Sequence, residues 1–216
     1  MSSSSSIALP ENADFAYPVH ELIAKRASGR AFSSKPVDVA TIGSLLEAAR
    51  WAASCSNEQP WSFVVTKKLT KKVTEKDDPS AYDRLLRCLV DFNIQWAQHA
   101  PVLILSVARL NFASTGKPNR HALYDVGQAA ANLALQATAL GLMAHQMAGF
   151  DVEKARGEFL IPGGHEPASV IAVGYPGDPA SLPDKLRERE LAPRRRKPLR
   201  SFVFSDTWGQ TPGDQP

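Results

Sequence analysis

Cysteine is scarce in this chain: Cys55 and Cys88 are the only two among 216 residues. Two are too few for a disulfide framework, and no CxxC pair or Cys/His cluster has metal-ligand spacing. A reducing, cytoplasmic setting is the expectation. Long apolar runs are missing as well. None approaches the roughly 18–20 residues that span a bilayer, so no membrane helix is expected. Met1–Ser6 is a serine run with no basic segment before it and no long apolar stretch after it. It reads as a flexible leader rather than a signal peptide.

Several catalytic signatures are absent too. There is no GxGxxG after a strand and no GxxxxGK[ST], which removes support for a Rossmann or P-loop phosphate site. There is no GxSxG elbow. His20, His99, His121, His145 and His165 show no HExxH or other paired-ligand spacing, so no metal site is expected.

What remains is ordinary globular composition, 44% hydrophobic and 22% charged, in a chain long enough for one sizeable core. The net charge of +3 is small, but its distribution is uneven. Lys185, Arg187, Arg189, Arg194, Arg195, Arg196, Lys197 and Arg200 crowd the stretch from Asp184 to Arg200. Such a stretch serves either a polyanion or one small anion.

Hydrophobic spacing sets out the elements. Val19, Leu22, Ile23 and Arg26 suit a short amphipathic helix. Asp38 is placed to cap a second, whose Ile42, Leu45, Leu46 and Ala49 recur at helical intervals. Trp61–Thr66 reads as a strand, and Lys67–Ser80 as polar chain with at most a short helix. Ala81–His99 returns to helical spacing. Pro101 then opens Val102–Val107, a buried strand, followed by a polar loop over Leu110–Arg120. Ala122–Leu140 is a long alanine-rich helix, either a central core helix or one buried in a dimer. Gly141–Ala148, Val152–Phe159 and Val170–Tyr175 read as strand, helix and strand. The result is an α+β or three-layer α/β/α domain. The tail from Leu182 is polar and basic until Phe202-Val203-Phe204, a strand-like apolar patch that needs somewhere to dock.

Four constellations carry possible chemistry. Lys25–Phe32 sets Arg26, Ser28 and Arg30 at a helix end, where guanidinium forks could meet phosphate or an electron-rich ring edge. Trp51–Trp61 offers Ser54, Ser56, Asn57 and Gln59, donors and acceptors suited to a polyol or heterocycle edge. Arg194-Arg195-Arg196-Lys197-Pro198 suits a phosphate monoester. Ala148-Gly149-Phe150, after a strand, permits close approach of a flat ligand. Taken singly, a solvated helix end, a Ser/Asn/Pro turn, a basic tail and an ordinary strand-to-helix turn explain them as well.

In order and spacing, however, the constellations resemble the nitroreductase-like flavoproteins from about Val19 to Phe204. The resemblance rests on Arg26-x-Ser28-x-Arg30-x-Phe32, Ser54-x-x-Asn57-x-Gln59-Pro60-Trp61, and Asp125-x-Gly127-x-Ala129-x-x-Asn132-Leu133 leading to Gly141-Leu142. Ala148-Gly149-Phe150 and Arg194-x-Arg196-Lys197-Pro198 complete it. It implies a mixed, mostly antiparallel sheet flanked by helices, and a homodimer with FMN between subunits. It also implies a C-terminal extension that wraps the partner.

The resemblance further implies that Arg26 and Arg196 bind the FMN phosphate, with Arg194 beside it and Ala27 and Ser28 at the phosphate and ribityl end. Arg30 would lie near the flavin N1/O2 edge. Ala53, Ser54, Cys55, Asn57 and Gln59 would reach the flavin from the second subunit. Ala148 and Gly149 would lie near N5, and Asn93 at the pyrimidine edge. Positive charge near N1 stabilises anionic reduced flavin. Chemistry carried by FMN needs no protein nucleophile, and a ping-pong exchange of hydride through N5 needs no separate nicotinamide motif. NAD(P)H would be the donor, with nitro compounds, quinones or activated alkenes as acceptors.

The chain departs from the resemblance at two positions. Ala148 stands where several members carry Glu, and Cys55 where Ser is commoner. The alternatives are dehalogenating or flavin-fragmenting chemistry on the same fold, a flavin binder of low turnover, or a nucleic-acid module built on the basic tail. Expected boundaries are a leader over 1–16, one domain over 17–204 with an extension from 180, and a tail over 205–216.

Overall fold

The computed structural model describes residues 15–68 and 80–211. Most of the expected leader, the core of the polar stretch Lys67–Ser80, and residues 212–216 lie outside them. Local signals account for several elements directly. His20 caps α1 (Glu21–Lys25), its Nδ1 accepting from the Leu22 N–H. Asp38 caps α2 (Val39–Arg50), with Oδ1 taking the Thr41 N–H at 2.7 Å. Ile42, Leu45 and Ala49 on α2 are buried, as their spacing requires.

The expected continuous helix over Ala81–His99 is instead two: α3 (Ala81–Leu86) and α4 (Asp91–Ala97). The break has a clear cause. Between them the backbone is hydrogen-bonded to a remote segment: Val90 N–H donates to Gly149 O, and Asp151 N–H to Cys88 O. Leu89 and Phe150 form an antiparallel bridge. Carbonyls and amides used there cannot continue a helical ladder.

The sheet has four strands, β1 (Trp61–Lys67), β2 (Val102–Arg109), β3 (Met143–Met147) and β4 (His165–Gly174). Their order is β1-β2-β4-β3. Every pairing among the described residues is antiparallel, so the sheet is not mixed there. Alternation sorts the side chains onto two faces. Val102, Ile104, Ile171 and Val173 join α2 and α5 (Ala122–Ala139) in one core. Leu103, Leu105, Val170 and Ala172 join α3, α4 and α6 (Val152–Glu158) in the other. Both faces are covered, which is why β2 is almost wholly apolar. The fold is α+β in three layers.

The tail differs from its expected form. Asp184–Leu191 is a helix, α7, and Leu199–Ser201 a single 3₁₀ turn. Phe202-Val203-Phe204 forms no strand; Phe204 instead faces Trp208 at 5.0 Å between ring centroids. Charged residues dominate α7 and hide its helical period, yet Leu182 and Leu186 are buried in the core beside the sheet. No helix among the described residues is long and apolar enough to cross a membrane.

Candidate functional site

The backbone from Arg26 to Ser33 leaves α1 and crosses towards the sheet, where Ser33 N–H donates to Tyr175 O and Gly177 N–H to Ala31 O. Its middle lies against β3. Gly29 O accepts from His145 at 3.0 Å, which places the imidazole proton on Nδ1. A Cβ on Gly29 would collide with Met143 Sδ and sit 2.8 Å from Glu190 Oε1. Glycine permits this approach with the Met143 and Glu190 side chains where they stand. His145 also lies against Trp96, with centroids 4.4 Å apart. Burial lowers the His145 pKa to about 4 against the backbone bonds at Gly29 and Ser28, and the Arg30 and Arg26 charges push it the same way as burial. The imidazole is therefore neutral at pH 7.

Three guanidiniums gather beside this segment. Arg26 Nη1 donates to Ser28 Oγ at 3.0 Å. Arg194 Nη1 donates to Arg26 O at 2.6 Å, and its Nη2 to Ala24 O. Burial lowers the Arg26 pKa, and the neighbouring Arg194 and Arg196 charges lower it further. Arg194 is shifted down by burial first and Arg196 second. Among the described residues no carboxylate acts against these shifts. With Arg26 and Arg194 partly buried, Arg196 exposed beside them and no counter-charge among the described residues, the group is complementary to an anion with two negative charges. The Nε–H groups of Arg30 and Arg194 are buried with no hydrogen-bond partner among the described residues.

β3 ends at Met147, and Ala148 and Gly149 follow it directly. Asn93 Nδ2 on α4 donates to Gly149 O at 3.0 Å. Thus Arg26, Ala27, Ser28, Arg30, Asn93, Ala148, Gly149, Arg194 and Arg196 all lie on segments joined around the β3 edge and one face of the sheet.

The second group lies elsewhere. Ala53–Gln59 leads into β1, the opposite edge strand. Ser56, Asn57 and Gln59 have φ of 54°, 54° and 49°, a left-handed conformation that costs side-chain-bearing residues energy. Local bonds hold it: Gln59 N–H donates to Ser54 Oγ at 3.0 Å, and Cys55 N–H to the buried Asp125 Oδ2 on α5 at 3.1 Å. Glu58 pairs with Arg109 and accepts the Ala113 N–H. Among the described residues none of these bonds reaches Arg26–Arg30 or Arg194–Arg196. Edge to edge, the sheet separates the two groups by three strand spacings, about 14 Å.

Sequence reasoning overlooked three contributors. Glu190 lay in what read as a basic tail. His145 lacked a partner at any recognisable spacing. Trp96 read as one apolar position of a helix. Asp125 stands inside the Asp125-x-Gly127-x-Ala129 pattern. No cluster of His, Cys, Asp or Glu among the described residues could hold a metal.

The model of the Nitroreductase family matches residues 23–175. The crystal structure of an oxidoreductase containing FMN is 33% identical with a TM-score of 0.82, over 92% of this chain and 96% of that one. Iodotyrosine deiodinase 1 of Rattus norvegicus is 29% identical over 78% of this chain and 66% of its own length. A putative NADH dehydrogenase/NAD(P)H nitroreductase of Stenotrophomonas maltophilia is 27% identical, over 72% of this chain and 83% of its own.

Proposed function

The chain belongs to the nitroreductase family, and from that premise we propose that it is an FMN-dependent oxidoreductase, fed by NADH or NADPH and active as a homodimer. The observation that carries this reading is the uncompensated group of Arg26, Arg194 and Arg196 beside Ser28. It suits a phosphate monoester dianion. Arg26 and Arg196 would hold the phosphate. Arg194, whose terminal nitrogens hold Ala24 O and Arg26 O, would keep that backbone in place. Arg30, with its spare buried Nε–H, would face the N1/O2 edge.

The dimer follows from the division of the site. The Ala53–Gln59 loop and the Arg26 segment lie at opposite edges of one sheet. A second copy would bring its loop to the first copy's arginines. The outer side of α5 supports this: Leu123 and Tyr124 are exposed there, with Gly127 and Ala131 following on the same side. Residues 17–204 would form the domain, with 180–204 as its extension.

When bound, FMN supplies the redox chemistry, taking hydride equivalents from a nicotinamide and passing them to a nitro compound, quinone or activated alkene. The protein's part is to bind, orient and exclude water. Exposed Ala148 places no acid or base beside the acceptor. The kinship with iodotyrosine deiodinase favours one second reading, reductive removal of halogen from a halophenol.

The test is an anaerobic visible spectrum of the purified protein supplied with FMN, before and after NADH or NADPH. Bound flavin absorption that bleaches with a nicotinamide supports the reading. Failure to retain FMN refutes it. Reoxidation by a halophenol but not by nitro compounds or quinones would favour the second reading.

A further inference from the structure

Glu190, on α7, makes contacts that neither the phosphate group nor the acceptor side accounts for. Its Oε1 and Oε2 accept the Arg30 N–H at 2.8 and 2.9 Å, and Oε1 takes the Ala31 N–H at 3.3 Å. Oε2 also lies 3.7 Å from Arg30 Nη1, and the carboxylate is only 12% exposed. One side chain thus fastens the backbone of Gly29–Ala31 and places a negative charge against Arg30. The residues it joins are 160 apart in sequence. Gly29 leaves room for the arrangement: a Cβ there would lie 2.8 Å from Glu190 Oε1, and the carboxylate would have to shift.

Arg30 Nε–H is buried without a partner among the described residues, and Glu190 lies towards Nη1 at ion-pair rather than hydrogen-bond distance. The pair is loose enough to leave Arg30 available and close enough to diminish its field.

We propose that Glu190 is a positioning residue for the flavin site, holding Arg30 in place through its backbone and limiting the stabilisation that Arg30 gives to reduced flavin. This rests on the reading that Arg30 faces the flavin N1/O2 edge. A carboxylate near that edge disfavours the anionic reduced form, and its loss favours it. The device fits an enzyme whose reduced cofactor must give up its electrons readily.

The test compares Glu190→Gln with Glu190→Asp, using FMN affinity in each redox state and the melting temperature of the apoprotein. Glu190→Gln keeps an acceptor for the backbone and loses the charge. Its ratio of reduced to oxidised FMN affinity should rise about fivefold or more. Glu190→Asp keeps the charge but has a shorter reach. It should weaken both forms alike, leaving the ratio near that of the wild type. An unchanged ratio in Glu190→Gln with FMN bound overturns the charge role. If that variant does not fold, undiminished FMN affinity in Glu190→Asp overturns the positioning role. A wild-type protein that binds no FMN brings down the underlying reading, and this proposal with it.

Discussion

Single charges decide what the candidate site can hold. Arg26 is half-buried beside two other guanidiniums, and each would gain from a bound dianion. Arg26→Ala or Arg196→Ala should therefore weaken FMN binding by about 1.5–3 kcal/mol, the range for a lost charge-assisted hydrogen bond. Flavin fluorescence titration measures this, and unchanged affinity in both variants would refute the phosphate assignment. His145 makes a second prediction. Its folded pKa, about 4, lies below the unfolded value of 6.5. The unfolded chain therefore takes up a proton first as pH falls. Stability from the neutral imidazole is fully present above 6.5 and is lost as pH drops towards 4, by about 2–3 kcal/mol. Denaturant unfolding at pH 7 and 4.5 should show that His145→Gln lacks this part of the wild-type decline. Equal declines in both proteins would show that His145 does not cause it.

The elements are held where backbone groups are shared between distant segments. The α3–α4 break and the end of β3 hold each other through Val90, Cys88, Gly149 and Asp151. A Cβ at Gly149 would stand 2.8 Å from Asn93 Nδ2 and 3.0 Å from Val90 Cγ2. Gly149→Ala should force α4 away from β3 and destabilise the protein by about 1–3 kcal/mol, the usual cost of overpacking. A lowered melting temperature together with weaker FMN binding is expected; full retention of both would refute this account of the junction. The Ser54–Gln59 loop follows the same logic. Its left-handed residues persist because Asp125, Arg109 and Ser54 hold them from several sides.

At the scale of the molecule, the division of the site predicts how subunits share it. If one copy gives the arginines and the other the loop, a mixed dimer of Arg26→Ala and Asn57→Ala subunits has one intact site and one doubly altered site. It should bind one FMN with wild-type affinity, whereas each parent dimer binds only weakly. Isothermal titration of tagged, purified mixed dimers reads the stoichiometry directly. No recovery of tight binding would mean that each chain builds its site alone.

Local chemistry was legible in the amino-acid sequence because its partners are near in the chain. Asp38 and Thr41 stand three residues apart, and the α2 core positions recur every three or four. The β2 run is apolar because both faces are covered. The arginines, serines and glycines proposed for the site were named through the resemblance to a family, not from spacing alone. Distant partners were not legible. Nothing near Glu190 in sequence announces Arg30, and nothing near Arg87–Val90 announces Gly149. The charged surface of α7 concealed its period, since only Leu186 within it is buried. The His145 proton state depends on Gly29, Trp96 and two arginines brought together by the fold. The amino-acid order thus determined which chemical groups the protein carries and those elements whose signals are local, such as α2 and β2. The tertiary structure decided which of them meet, because hydrogen bonding and burial act across space without regard to separation along the chain.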